Sequence, residues 1–334
     1  MNRRMFTAVI LLVLSFGAAA SAQTPEQRTF TFTYAFIVRN PHAGKELRIW
    51  FPMARSDKYQ AVKVITATGD LPLRQTLAGE GNRMFYAETP AAGQPEYKFQ
   101  VVYEATRYER LGLAAAKTQA RSVRRPAGLA RYLQPDTLVP TTGRLADIAA
   151  QQTAGKNTPL EKARALYDYV FENMKYDKSG TGWGRGDAEW ACDSHHGNCT
   201  DFHSLFAALA RSQGIPTRFE IGFGLPVGPH EGEIPGYHCW SDFWIDGIGW
   251  IPIDISEASK HPEKREYFFG AHDANRVQFS MGRDLTLSPK QDGAPRNFLV
   301  YPYVESDGQE FPNVSNAFSF RDTAELYPAA VRAH

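Results

Sequence analysis

The first third of the chain alternates polar and apolar residues with a period of two. Residues 29–34, 47–51 and 97–103 each follow this pattern, which is typical of strands with one buried face. Glycine and proline separate these segments, as at Asn40-Pro41 and Gly79-Glu80-Gly81, and favour antiparallel connections. We therefore expect a small β-sandwich domain at residues 23–110.

Helical patterns begin after this region. Alanine, lysine and arginine dominate residues 111–125, so a domain boundary is expected near residue 111, with a second domain over residues 111–334. Thr158 followed by Pro159 is a typical helix start. The apolar residues behind it recur every three or four positions and predict an amphipathic helix; they are Leu160, Ala163, Leu166, Tyr167, Val170 and Phe171.

A second predicted helix begins at Cys199. Asn198 is its expected N-cap, and Gly214 with Pro216 ends it. Unpaired N–H groups and the helix dipole lower the pKa of a thiol in a first turn from its usual value of about 8.5. Asp201 opposes this effect because a nearby carboxylate favours the neutral thiol. The same N–H groups could stabilise an oxyanion. The apolar face consists of Phe202, Leu205, Phe206 and Leu209.

Three strands are expected after this helix. The first covers residues 217–223, and the other two form a hairpin at 237–245 and 250–254, joined by a turn that begins with Asp246-Gly247. His238 and Asp254 lie near the open end of this hairpin. Together with Cys199 they have the residue types of a thiol-based catalytic triad.

The turn decides whether His238 and Asp254 can meet. If Trp244 pairs with Ile248 they lie directly opposite, and if Ile245 pairs with Gly249 they are diagonal neighbours on one face. A two-residue turn would place them on opposite faces unless a bulge intervened. The triad therefore predicts a three-residue or bulged turn. In this triad Cys199 attacks an acyl carbon, His238 transfers protons, and Asp254 orients the imidazole, with an acyl-thioenzyme as intermediate.

The start of the chain indicates export. Arg3 and Arg4 precede an apolar run at residues 9–14, and small residues at 17–22 end in a small-x-small pattern, so a signal peptide is predicted at residues 1–22. We expect a periplasmic or secreted protein. No later stretch approaches twenty apolar residues, so an integral membrane protein is not expected. The net charge of +1 points to no nucleic-acid partner.

The chain has only three cysteines, an odd number for an oxidising compartment. Cys192 is expected to be buried or paired with Cys239, which leaves Cys199 free. Because adjacent residues of a strand face opposite ways, Cys239 is expected to point away from the catalytic face.

Three segments resemble the transglutaminase-like superfamily, in particular its exported bacterial members. They are Gly197-Asn198-Cys199-Thr200-Asp201-Phe202-His203, Tyr237-His238-Cys239-Trp240 and Trp250-Ile251-Pro252-Ile253-Asp254. The resemblance covers residues 138–254 and extends more loosely to 311. It implies an α+β, papain-like core in which the cysteine helix packs on an antiparallel sheet. A later strand at residues 297–304 is expected to complete that sheet.

The resemblance also implies thiol acyl chemistry at glutamine or peptide amides, on a protein or peptide substrate that could be a cell-wall peptide. Hydrolysis by a cysteine peptidase or amidase is favoured, with glutamine-dependent cross-linking to an amine as the alternative. In the family a tryptophan upstream of the cysteine helps to bind the oxyanion, and Trp183 and Trp190 are both candidates here. No cofactor or metal is expected for this chemistry.

Two other classes of function remain open. Cys192, His195, His196 and Cys199 have the residue types of a zinc site, although metal on Cys199 would quench the nucleophile. The chain could instead be a non-catalytic envelope binding module, but such a module needs no solvent-facing thiol beside an imidazole. The glycine-rich loop at residues 178–187 lacks the Lys-Ser or Lys-Thr ending of a phosphate-binding P-loop.

Overall fold

The structure is a computed structural model and describes residues 26–113 and 123–323. The predicted signal peptide at residues 1–22 lies outside these ranges. Within them, no helix combines the length and the apolar character needed to cross a membrane.

The secondary structure is mostly β. The strands of the described ranges are β1 (Gln27–Arg39), β2 (Leu47–Pro52), β3 (Gln60–Gly69), β4 (Arg74–Ala78), β5 (Asn82–Thr89), β6 (Glu96–Tyr108), β7 (Arg110–Leu111), β8 (Lys175–Tyr176), β9 (His196–Gly197), β10 (Thr217–Gly224), β11 (Glu231–Glu233), β12 (His238–Ile245), β13 (Gly249–Ile253), β14 (Ala271–His272), β15 (Arg276–Met281), β16 (Tyr303–Ser306), β17 (Gln309–Glu310) and β18 (Val314–Asp322). The α-helices are α1 (Arg144–Gln152), α2 (Pro159–Asn173), α3 (Ala188–Ser194), α4 (Cys199–Ser212), α5 (Ile255–Lys260) and α6 (Arg265–Phe268). Single 3-10 turns occur at Gly79–Gly81, Leu129–Leu133 and Pro262–Lys264.

Two five-stranded sheets form the predicted β-sandwich. Sheet 1 has the order β11-β18-β1-β6-β3, and sheet 2 has the order β17-β16-β2-β5-β4. All of their strand pairs are antiparallel. The alternation along β1 buries every second side chain, and its Tyr34 stacks on Phe51 of β2 with ring centroids 6.0 Å apart. The period-two pattern therefore predicted the sandwich correctly.

The sandwich also takes strands from the end of the chain. Phe318 of β18 pairs with Tyr34 of β1, and Tyr303 of β16 pairs with Trp50 of β2. The strand predicted at residues 297–304 is thus observed at 303–306, and it belongs to sheet 2 rather than to the sheet that carries His238. The apolar pattern of a strand predicts that one face is buried, but it does not predict with which strand the segment pairs. The division at residue 110 remains a prediction about domains.

Sheet 3 has four strands in the order β13-β12-β10-β15. Sheet 3 packs against sheet 1, where Phe223 of β10 lies 5.1 Å from Phe32 between ring centroids. It also packs against α4, where Phe206 lies 6.1 Å from Phe243 between ring centroids. Because α4 is covered on all sides, almost every residue of it is buried. The expected cysteine helix on an antiparallel sheet is confirmed.

Helix α2 lies beside α4 and begins where the sequence predicts. The Thr158 side chain accepts a hydrogen bond from the Glu161 N–H, and the Glu161 carboxylate accepts one from the Thr158 N–H. This capping box satisfies two backbone groups at the helix start and fixes where the chain enters the helix.

Candidate active site

The start of α4 places Cys199 in a fixed position. Asn198 is the N-cap, as predicted, and its side chain accepts a hydrogen bond of 2.8 Å from the Thr200 N–H. Cys199 is the first residue of the helix, and it is 1% exposed. The expectation of a solvent-facing thiol is therefore wrong. Cys199 belongs to the apolar core cluster that also contains Phe32 of β1 and Ile221 of β10.

Asp201 fastens the glycine-rich loop to this helix start. Its carboxylate accepts hydrogen bonds from the N–H groups of Gly184, Gly186 and Asn198 at 2.7, 2.9 and 2.9 Å. Burial raises the pKa of Asp201, the three hydrogen bonds oppose that rise, and the nearby Cys199 charge adds to it. The predicted opposition between Asp201 and a Cys199 thiolate is thus present, although Asp201 mainly fixes the loop.

The β12–β13 hairpin brings His238 and Asp254 together. Ile245 pairs with Gly249, so the turn contains three residues, as the triad requires. His238 and Asp254 are then diagonal neighbours, and the His238 Nε2–H donates to Asp254 Oδ2 at 2.7 Å. This outcome confirms the predicted turn length and the second of the two predicted registers.

Asp254 is completely buried and has four hydrogen-bond donors around it. Besides His238, its Oδ2 accepts from Arg276 Nη1 at 2.9 Å. Its Oδ1 accepts from the Ser256 hydroxyl and from the Glu257 N–H, both at 3.0 Å, so that Asp254 also caps α5. Burial alone would raise the pKa of Asp254, but His238 and Arg276 hold that pKa well below its usual value. The carboxylate is therefore kept ionised.

His238 carries a proton over a wide pH range. Burial favours the neutral ring, but the charge and hydrogen bond of Asp254, together with the Cys199 interaction, raise the pKa of His238 to about 10. Because Nε2 donates to Asp254, Nδ1 is the nitrogen that remains for Cys199. Burial would likewise raise the pKa of the Cys199 thiol, but hydrogen bonds from Cys239 and His238 hold it well below its usual value. Both shifts favour a thiolate beside an imidazolium.

Cys239 lies beside the nucleophile candidate, and the expectation that it points away is wrong. Its thiol and its backbone N–H both interact with Cys199, and its Sγ lies 3.8 Å from Thr200 Oγ1. His238 is the first residue of β12. Because His238 and Cys239 lie at the end of β12, Cys199 in the first turn of α4 contacts both of them. The alternation of side chains along the strand therefore does not separate the two residues. All three cysteines are free thiols, so Cys192 and Cys239 are not paired.

Two further residues support the site and were missed from the sequence. The His203 Nδ1–H donates to the Cys199 carbonyl at 2.8 Å, and its Nε2 accepts from the Ile255 N–H at 3.2 Å, which fixes the neutral tautomer. Burial lowers the pKa of His203, which favours that neutral form. The Tyr237 hydroxyl contacts Asn198 Nδ2 and Thr200 Oγ1, both at 2.8 Å. The i, i+4 spacing of Cys199 and His203 was the available signal.

One candidate tryptophan, Trp183, lies within the glycine-rich loop, and the other, Trp190, lies in the helix that follows it. Trp183 is half-buried, directly precedes Gly184, and has the Lys178 ammonium 5.9 Å from its ring centroid. Trp190 lies on α3 with its ring centroid 5.3 Å from that of His196. Within the described residues, no hydrogen bond joins either indole to Cys199. Their roles in the oxyanion site or substrate wall stay predictions.

The four residues of the zinc alternative do not converge. His195 Nδ1 bonds the Asn173 carbonyl at 3.0 Å, and His196 Nδ1 bonds the Asp177 carbonyl at 3.4 Å. Cys199 instead contacts His238. In the described part of the chain, no group of three or more His, Cys, Asp or Glu side chains is placed to hold a metal ion.

A protein-family model matches the part of the chain that contains these residues. Residues 146–255 match the model of the Transglutaminase-like superfamily. An uncharacterized protein of Haemophilus influenzae is 27% identical in an alignment of length 351. The alignment covers 92% of this chain and 94% of that protein. The protein YebA of Bacillus subtilis is 24% identical over 147 residues, which cover 40% of this chain and 20% of that protein.

A solved structure shares the fold of nearly the whole chain. It is the crystal structure of a "putative cysteine protease" from Cytophaga hutchinsonii, with a TM-score of 0.59 at 15% identity, and the match covers 91% of this chain and 94% of that one. The segment matched by the family model, residues 146–255, includes Cys199, His238 and Asp254. It also includes helix α4 and the β12–β13 hairpin. The family match of this chain is therefore to the transglutaminase-like superfamily, over residues 146–255.

Proposed function

We propose that the chain is a cysteine hydrolase that cleaves peptide or glutamine amides through Cys199, His238 and Asp254. The observation that carries this proposal is the buried thiol beside an imidazole whose far nitrogen donates to Asp254 at 2.7 Å. A buried ion pair of this kind is costly to maintain in a protein interior. Its presence at a helix start therefore supports a chemical use for the thiolate.

The proposed reaction has two steps. The Cys199 thiolate attacks the amide carbon, a C–S bond forms, and the carbonyl electrons move to oxygen. His238 then gives its Nδ1 proton to the leaving nitrogen as the C–N bond breaks, which leaves a thioester and a free amine. In the second step water attacks the thioester while His238 accepts its proton, and the acid and the thiolate are released.

Stabilisation of the oxyanion would come from backbone N–H groups at the start of α4. We assign the second donor to one of the two indoles, Trp183 or Trp190. Trp183 is the better placed of the two, because the next residue, Gly184, donates its N–H to Asp201 in the first turn of α4.

Hydrolysis and amine transfer differ only in the molecule that resolves the thioester. The name of the Cytophaga hutchinsonii protein supports hydrolysis, and amine transfer is the alternative. The predicted signal peptide supports a periplasmic or secreted location, where proteins and cell-wall peptides are available substrates.

The test compares the wild-type chain with Cys199→Ala on peptide, protein and cell-wall substrates, with and without a primary amine. Mass spectrometry would follow cleavage products and amine incorporation, and a coupled assay would follow ammonia. We expect cleavage or ammonia release by the wild type only. Amine incorporation without hydrolysis would replace our proposal with a transglutaminase reaction.

Thiol labelling separates an enzyme from a binding module. Iodoacetamide at neutral pH should alkylate Cys199 faster than Cys192 or Cys239, because only a thiolate reacts. If Cys199 is no more reactive than the other two cysteines, the non-catalytic module becomes the better interpretation.

A further inference from the structure

A cleft of about 630 Å³ opens beside the imidazole of the proposed triad. Tyr237, His238 and Tyr176 of β8 form part of its lining. The segment that ends α5 supplies further lining residues. A substrate that reaches Cys199 past His238 would therefore occupy this cleft.

The charged residues of the lining are mostly cationic. They comprise three lysines, Lys178, Lys260 and Lys264, and one carboxylate, Glu257. Lys260 already contacts Glu257, which leaves two lysines in excess. His261 also lines the cleft, and its Nε2 lies 4.0 Å from Glu257.

Lys178 and Lys264 have no ion-pair partner among the described residues, and both are exposed. The Lys178 ammonium lies 5.8 Å from the ring centroid of Tyr176 and 5.9 Å from that of Trp183, so aromatic faces border it rather than carboxylates. The whole chain has a net charge of only +1. The cationic excess is therefore a local property of this cleft.

Cations at the wall of a cleft act on the substrate as a whole. The amide under attack is neutral, so the lysines can interact electrostatically only with charged groups that flank it. A concave surface strengthens the electric field of the lysines. We propose that the substrate is an acidic peptide, with carboxylates close to the amide that Cys199 attacks, and that Lys178 and Lys264 select it. This inference rests on the proposed function for its reaction, but it concerns binding and can be tested without turnover.

The binding test uses the Cys199→Ala chain and fluorescent peptides that differ only by Asp or Asn beside the central amide. Fluorescence anisotropy would measure Kd for each peptide at low and high salt. We expect the Asp peptides to bind on the order of tenfold more tightly at low salt, because two exposed ion pairs contribute a few-fold each, and salt should reduce this preference.

The variant Lys178→Gln/Lys264→Gln, made in the same Cys199→Ala chain, should lose the preference for Asp peptides while its binding of Asn peptides is unchanged. The matched control is Lys63→Gln/Lys156→Gln, which removes two exposed lysines outside the cleft lining and should keep the preference. Thermal unfolding of both double variants checks that they fold. Equal binding of Asp and Asn peptides, or an unchanged preference in the cleft variant, would overturn the inference.

The outcome separates this inference from the proposed function. If Cys199 in the wild type is reactive and cleaves peptides but Asp and Asn peptides bind equally, only the charge selection fails. If Asp peptides bind preferentially through Lys178 and Lys264 while Cys199 is inert, the charge selection stands and the hydrolase proposal fails.

Discussion

The His238 Nε2–H donates to Asp254 Oδ2 across 2.7 Å, and this contact joins the first residue of β12 to the residue that follows β13. The contact orients the imidazole so that its other nitrogen faces Cys199. Burial lowers the pKa of His238, but the contact with Asp254 outweighs burial and helps to raise this pKa to about 10. The thiolate and imidazolium therefore coexist from the lowered pKa of Cys199 up to about pH 10.

Replacement of Asp254 by asparagine should lower the pKa of His238, because the ring loses its anionic partner. The raised pKa means that the His238 charge stabilises the fold below the unfolded pKa of about 6.5, and that this stabilisation is lost as the pH rises toward 10. In Asp254→Asn we expect the alkaline limb of the pH profile of peptide cleavage to move to lower pH, because protonated His238 must supply the proton for the leaving nitrogen. Peptide cleavage should fall by roughly 10³-fold or more.

A control for this variant is Asp246→Asn in the turn of the same hairpin, where the side chain is 68% exposed. It should leave both limbs of the pH profile in place. An unshifted alkaline limb in Asp254→Asn would contradict the assignment of Asp254 as the partner of His238.

Cys239 should lower the thiol pKa of its neighbour by donating hydrogen bonds to the Cys199 thiolate. In Cys239→Ala one donor is lost, so the midpoint of iodoacetamide alkylation at Cys199 should move to higher pH. Cys239→Ser keeps a donor of similar size and should move the midpoint less. Mass spectrometry of the alkylated peptide over a pH series measures both shifts, and equal midpoints in all three proteins would show that Cys239 is only a packing residue.

Removal of Arg276 should cost stability. Its Nη1 donates to Asp254 at 2.9 Å, and both side chains are almost fully buried. Loss of one partner leaves a less compensated buried charge, so Arg276→Met should lower the free energy of unfolding by about 3 kcal/mol. Urea unfolding measures this change. The partly exposed pair of Arg296 and Glu310 offers a control, because Arg296→Gln should cost less than about 1 kcal/mol.

The same variant has a predicted pH dependence. The lowered pKa of Asp254 adds stability above the unfolded carboxyl pKa, and this stability disappears as the pH falls through the folded pKa. Without Arg276 the folded pKa rises, so acid unfolding of Arg276→Met should begin at a higher pH. Unchanged acid and urea midpoints would contradict the importance of this ion pair.

Gly186 should tolerate no side chain. Its φ is +62°, and a Cβ there would lie 2.6 Å from both Ser204 Oγ and Thr200 Cγ2. Gly180 has a φ of +73° with nothing within 4 Å of such a Cβ, so Gly180→Ala isolates the backbone strain and should cost about 1 to 2 kcal/mol. Gly186→Ala should cost about 2 kcal/mol more, measured by urea unfolding. Equal losses in the two variants would mean that the loop moves freely away from α4.

Local chemistry determined much of the site in advance. The start of α4 follows from Asn198 and from the apolar spacing behind Cys199, which are short-range signals that act within one helical turn. The period-two pattern of β1 likewise marked the buried face of the sandwich. The length of the hairpin turn could be predicted from the sequence, because only certain strand registers allow His238 to reach Asp254.

Tertiary packing decided the remaining features. Arg276 comes from β15, His203 links two elements far apart in sequence, and β16 pairs with β2, and none of these partnerships leaves a local pattern. The contact between Cys239 and Cys199 overrides strand alternation because it forms at the end of β12. The sequence by itself determined the reactive residue types and the helix and strands that carry them. The burial of these residues and the electrostatic interactions between them depend on which segments, distant in sequence, pack together. Only the tertiary structure decided this packing.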